Sequence, residues 1–349
     1  VMTSLQLGLL LLGLALLLGV LAYNHWSTRR QRPRRADPDP ARSAAPGAGA
    51  VPVVPARIEP VLDEPEQADL PRAPVLQQVL DPALDALVAL ETEQPISGDA
   101  LLAALPGSRR VGSKPFFVEG QLVHTPQWEL ARPGQRYRAV RAGIQLANRA
   151  GPLNEIEFSE FVQLVNRLAE ALHLQPEYPD MVQQVRRARE LDQFALNHDA
   201  QLTFTVRALR AAWSPGYLVQ HAQRAGFVAG ALPGRLALPA NEADAAPVLL
   251  LQYPAEAALA EDPEQSALLQ FALTLDVPQV DRSERPYVRL RQLAQQLAQD
   301  MEGVLTDDAG APLQREALDQ IGAELEALYE ALQARGLPAG AALTRRLFA

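Results

Sequence analysis

A chain of 349 residues with 48% hydrophobic content can bury one ordinary core, or one and a half, outside any tethering segment. Its net charge of −9 argues against a general nucleic-acid binder, because a phosphate backbone rewards excess Lys and Arg. With no cysteine, disulfides, thiolate metal sites and a cysteine nucleophile are excluded.

The first predicted element is a membrane-spanning helix over residues 4–26. Leu5 to Tyr23 is apolar except for Gln6, and a run of about 20 residues spans the ~30 Å hydrocarbon core. Arg29, Arg30, Arg32, Arg34 and Arg35 follow at once; positive charge there predicts an N-terminus outside and a cytoplasmic bulk. A cleaved signal would carry its charge before the apolar core and small residues after it. Here the order is reversed and Tyr23-Asn24-His25-Trp26 is bulky. Residues 27–110 read as a Pro-rich flexible linker, since each proline removes a donor and biases its neighbour toward extended geometry. About 80 such residues reach roughly 50 Å as a flexible chain. Asp81 to Leu90 and Ser97 to Leu105 are short amphipathic pieces, read as transient helical turns, with Ser97 and Asp99 as caps.

Folded structure is expected from Val111, with an α+β unit over 111–199 and a second over 200–338. Phe116-Phe117-Val118 and Arg138 to Leu146 read as strands. Phe158 to Leu172 and Asp180 to Leu196 read as helices. Leu202-Phe204-Val206 alternates with Thr203-Thr205-Arg207, the period of a strand with one buried face. Ser214-Pro215 opens a helix that ends at Gly226. Val248 to Tyr253 and Phe271 to Val277 are strands, Pro286 opens a helix, Gly303 to Leu305 is a strand and Leu313 to Ala334 a helix. Ile144 to Leu172 and Leu273 to Leu297 share an order of strand, loop and helix. A duplicated unit and two merely similar amphipathic elements both fit that echo.

No catalytic constellation stands out. His25, His124, His173, His198 and His221 have no metal-ligand spacing, and phosphate loops, nucleophile elbows and HExxH are absent. Asp307-Asp308 with Gly310 reads as a turn rather than a calcium loop. Neither an enzyme nor a cofactor is expected; an anchored, tethered module is most simply an adaptor. If helices cover Leu202, Phe204 and Val206, then Thr203, Thr205, Arg207 and Thr274 lie on the opposite sheet face. Leu249, Leu251 and Tyr253 are placed there too, as an apolar surface needing a partner. The alternative is that the unit at 111–199 covers Leu249 and Leu251.

The order of anchor, basic cluster, Pro-rich linker and C-terminal module resembles the ZipA family of bacterial division proteins. Ser214-Pro215-Gly216-Tyr217-Leu218 through Ala225-Gly226-Phe227, then Leu273 to Pro278, the run into Pro286, and Leu293 to Leu305 with Thr306-Asp307-Asp308 carry the likeness. The resemblance implies a split β-α-β fold with an antiparallel sheet, helices on one face, and a groove for the FtsZ C-terminal peptide on the other. It implies Thr203, Thr205, Leu232, Leu249, Leu251, Tyr253 and Thr274 as groove residues, and attachment to the inner membrane with the N-terminus periplasmic. The partners implied are the FtsZ tail and, through the apolar helix, the lipid bilayer, with no nucleic acid and no small-molecule substrate. The family's groove is richer in large apolar residues where the three threonines stand, and residues 111–199 have no counterpart in its better-known members. The alternative function is a membrane-tethered scaffold for another division or envelope protein.

Overall fold

The computed structural model describes Arg34 and residues 79–349, apart from 243–244, 263–264 and 308–309. The predicted spanning helix, and the linker as far as residue 78, lie outside the described residues, save Arg34; no described helix is long and apolar enough to cross a membrane. The chain divides into two compact units, one containing residues 200–327 and the other residues 79–199 with 328–349. Each is taken in turn as the C-terminal and the N-terminal module.

Among the described residues, structure in the N-terminal module is present from Val79, ahead of the expected start at Val111. Asp85–Glu91 (β1) is a strand where a helical turn was expected. Ala86, Val88 and Leu90 point to the core; on the other face Asp85 is buried and Leu87 half-buried while Ala89 and Glu91 are exposed, and the apolar Leu87 and Ala89 on that face blur the sequence alternation that marks a half-buried strand. Ile96–Ser97 (β2) leads to a stable helix, Gly98–Ala104 (α1), capped by the Ser97 hydroxyl, which accepts from Ala100 N at 3.2 Å. Next come Arg110–Val111 (β3), Lys114–Leu122 (β4), Trp128–Leu130 (β5), Arg136–Gln145 (β6), and the small hairpin of Ala147–Asn148 (β7) and Gly151–Pro152 (β8). Glu155–Leu172 (α2) opens on a capping box between Asn154 and Glu157. Gln175–Glu177 (β9) and Met181–His198 (α3) complete the run. The strands lie in the order β4-β6-β1-β9, every neighbour antiparallel. Phe116 meets Phe161 of α2 edge-on at 5.7 Å, which fixes the helix-covered face.

The C-terminal module runs Gln201–Ala208 (β10), Pro215–Arg224 (α4), Val228–Ala229 (β11), Arg235–Leu238 (β12), Leu249–Gln252 (β13), Ala255–Ala258 (α5) and Gln270–Asp276 (β14). Pro286–Asp300 (α6), Gly303–Thr306 (β15) and Arg315–Ala334 (α7) follow, and the boundary between the modules falls within α7. The strand order is β11-β12-β13-β14-β10-β15, again antiparallel throughout. α6 packs on β14, β10 and β15, and Tyr287 meets Phe204 edge-on at 6.5 Å. Trp213, fully buried in the connection from β10 to α4, donates Nε1–H to Met301 O at 2.8 Å and ties that connection to the end of α6. Arg34 joins this module: its N–H donates to Ala212 O at 2.7 Å, its carbonyl accepts from Ser214 N at 2.8 Å, and its side chain pairs with Glu302 at 2.6 Å.

The two modules share one topology. In each, a first strand is followed by a Ser-capped helix. Two antiparallel strands come next, then a helix that carries the chain across the first strand to its far side, then a last helix. The central sheets, β4-β6-β1-β9 and β13-β14-β10-β15, correspond strand for strand. Of the two explanations for the sequence echo, the topology favours duplication. The C-terminal tail then returns to the N-terminal module as Ala342–Leu347 (α8), which sequence patterning did not reveal.

Candidate functional site

The site is built from register. In an antiparallel sheet, directly paired residues project from the same face. Across the C-terminal module the pairs Val228↔Ala237, Ala237↔Leu250, Leu250↔Thr274 and Thr274↔Thr203 therefore form one row on the face away from α6. Five strands at ~4.8 Å spacing make that row roughly 19 Å long, the length of a helical peptide of about 12 residues. A second row, Arg235, Gln252, Ala272, Thr205 and Thr306, runs beside it. The Thr203 and Thr274 hydroxyls lie 3.2 Å apart, and Arg207 Nε donates to Gln270 Oε1 at 3.0 Å at the rim. The result is a shallow, weakly apolar strip with arginines at its edge.

Of the predicted residues, Thr203, Thr205 and Thr274 are brought together here, all half-buried. Leu249 and Leu251 are not. They are 1% and 0% exposed, pair with Leu238, Leu236 and Leu273, and project into the helix-covered core of their own module. Their cover is thus this module's own core rather than residues 111–199. The physical reason is that Val248 to Leu251 is continuously apolar, so nothing in the run indicates which parity faces out. Leu250, which sequence reasoning missed, takes their place in the strip. Tyr253 lies past the end of β13, half-buried, with its N–H donating to Gly234 O at 2.9 Å and burial pushing its phenol pKa up. Leu232 is 55% exposed in the turn between β11 and β12, beside the exposed Val228 at the end of the first row.

Several titratable groups elsewhere have structural roles. Lys114, buried, donates to Ser113 Oγ at 2.9 Å, Asn148 Oδ1 at 2.8 Å and Gly151 O, which uses all three ammonium protons; burial lowers its pKa. His198 stacks on Phe194 at 4.2 Å and His221 on Tyr217 at 4.5 Å, while His173 is the left-handed C-cap of α2.

Fold and face together define an α+β module built on an antiparallel split β-α-β sheet, with helices on one face and a shallow strip on the other. More particularly, residues 260–324 match the family model of ZipA, C-terminal FtsZ-binding domain. The matched stretch holds β14 with Thr274, α6, β15 and the start of α7. No individual curated protein matches the chain.

Proposed function

We propose that this chain is a division adaptor that binds the C-terminal peptide of FtsZ on the outer sheet face of its C-terminal module. The observation that carries the reading is the ZipA C-terminal domain match over β14, which supplies Thr274 to the row Val228, Ala237, Leu250, Thr274 and Thr203, and over α6 on the opposite face. A peptide laid along this row sets apolar side chains on Leu250, Ala237 and Val228, while Arg207 and Arg235 at the rim attract acidic flanks. Leu5 to Tyr23 and the arginines after it would hold the adaptor to the cytoplasmic face of the inner membrane, with the linker bridging to the filament and supporting Z-ring and septum assembly. The test is titration of the cognate FtsZ tail peptide against the full chain and its Leu250→Glu variant. Saturable binding that Leu250→Glu removes supports the reading; undetectable binding, or binding indifferent to the variant, overturns it.

A further inference from the structure

The N-terminal module carries the same outer face, and that face is already occupied. Phe117 and Glu119 on β4, Arg141, Gly143 and Gln145 on β6, and Asp85 and Leu87 on β1 share it by register. Leu80 sits over Gly143, where a Cβ would collide with it. Glu119, fully buried, accepts from the N–H groups of Val79 and Leu80 and pairs with Arg141 at 2.6 Å. The rest of the cover is α8. Its Arg346 pairs with buried Asp85 at 2.6 Å, lies 5.2 Å above the Phe117 ring, and accepts from Gln145 Nε2 on its carbonyl at 2.8 Å.

We infer that this face is a second peptide-receiving groove of the same kind, held in cis by the chain's own C-terminal helix. Its ligand class is a short basic amphipathic segment of the pattern found here, Leu343, Arg346, Leu347, Phe348. Three observations support a seated ligand rather than a core element. A helix of six residues is far below the ~12–15 needed for stability alone, so α8 owes its order to docking. A cavity of about 320 Å³ remains between Val79, Leu80, Asp81 and Ala342, Leu343, Arg346. Arg346 Nε is buried there without a hydrogen-bond partner, so the fit is incomplete. Two buried carboxylates, Glu119 and Asp85, set the sign of the ligand: Glu119 pairs with the module's own Arg141, whereas Asp85, which also accepts from Asp81 N at 2.8 Å, takes its cation, Arg346, from the occupant. The inference rests on reading the outer face as the peptide face in the C-terminal module.

The probe is a synthetic, labelled peptide of residues 338–349, titrated against full chains that also carry Leu250→Glu, so that the C-terminal face contributes nothing. In the otherwise native chain the tethered α8 outcompetes the free peptide through its high local concentration. Arg346→Glu sets a carboxylate against Asp85 and expels α8, and peptide affinity is expected to rise at least tenfold. Hydrogen exchange should then accelerate over residues 341–349 while β1 and β6 stay protected. Adding Asp85→Arg to Arg346→Glu should restore the pair, reprotect α8 and close the groove again. The inference is overturned if residues 341–349 and β1 lose protection together, which marks α8 as core. It is equally overturned if α8 is released and the peptide still does not bind. Because the FtsZ peptide is not the probe, failure here and failure of the C-terminal reading are separate results.

Discussion

Leu250 and Leu251 are neighbours in sequence with opposite fates, and exchanging each in turn tests the register on which the site rests. Leu251 is 0% exposed among Leu236, Leu273 and the helix-covered core. Truncating it to Ala removes the transfer free energy of its methyl groups and leaves a cavity, together about 2–5 kcal/mol. At roughly 3–5 °C per kcal/mol for a domain of this size, the melting midpoint falls by about 10 °C. Leu250 has one side in solvent, so Leu250→Ala costs about 1 kcal/mol or less. Its effect is expected in binding, where loss of a central apolar anchor weakens the FtsZ tail complex by roughly 1–2 kcal/mol, about five- to thirtyfold in Kd. Circular-dichroism melts and fluorescence-anisotropy titrations on the same preparations separate the two. If Leu251→Ala melts within about 2 °C of the native chain yet abolishes binding, or Leu250→Ala melts early and binds normally, the register is wrong by one and the row is not the site.

Glu119→Ala leaves Arg141 without its carboxylate and the Val79 and Leu80 N–H groups without their acceptor, at about 3–5 kcal/mol. Urea denaturation should show that loss, and limited proteolysis should cut earliest near residues 79–84. Gly234 adopts φ +74°, and a Cβ there would lie 2.5 Å from Tyr253 O. Gly234→Ala should therefore cost about 1–3 kcal/mol, and because Gly234 O accepts from Tyr253 N at the end of the β12–β13 ladder, peptide affinity should fall with it. Tyr137 is buried against Glu129, and its phenol pKa is pushed up to about 12. Between the ordinary value near 10 and 12, the unfolded phenol loses its proton first, so stability falls as pH rises through that window, by at most about 2–3 kcal/mol. Tyr137→Phe should flatten that part of the pH–stability curve; an unchanged slope would assign it to another group.

Much of this architecture is legible in residue spacing. Phe158, Phe161, Val165 and Leu168 declare a helix with one buried face, and Ser214-Pro215 declares where another begins. The alternation of Leu202 to Val206 and of Phe271 to Leu275 assigns both strands and their outward threonines. These signals are local: each depends only on which side of one element meets solvent.

What tertiary structure decided is whatever needs a second element as reference. β1 is hard to read as a half-buried strand because Leu80 and α8, from distant parts of the chain, cover the Asp85 end of its outer side, and no spacing within Asp85–Glu91 can report that. Leu249, Leu250 and Leu251 are chemically identical, and only pairing with Thr274 on β14 makes the middle one the surface residue. The equivalence of the two modules is likewise a matter of strand order, which the faint echo between 144–172 and 273–297 could not establish alone. Composition determined an acidic, cysteine-free chain, and the run from Leu5 to Tyr23 an apolar stretch followed by arginines. Which side chains a peptide would touch depended on parity, because one step along a strand turns a side chain from water to core.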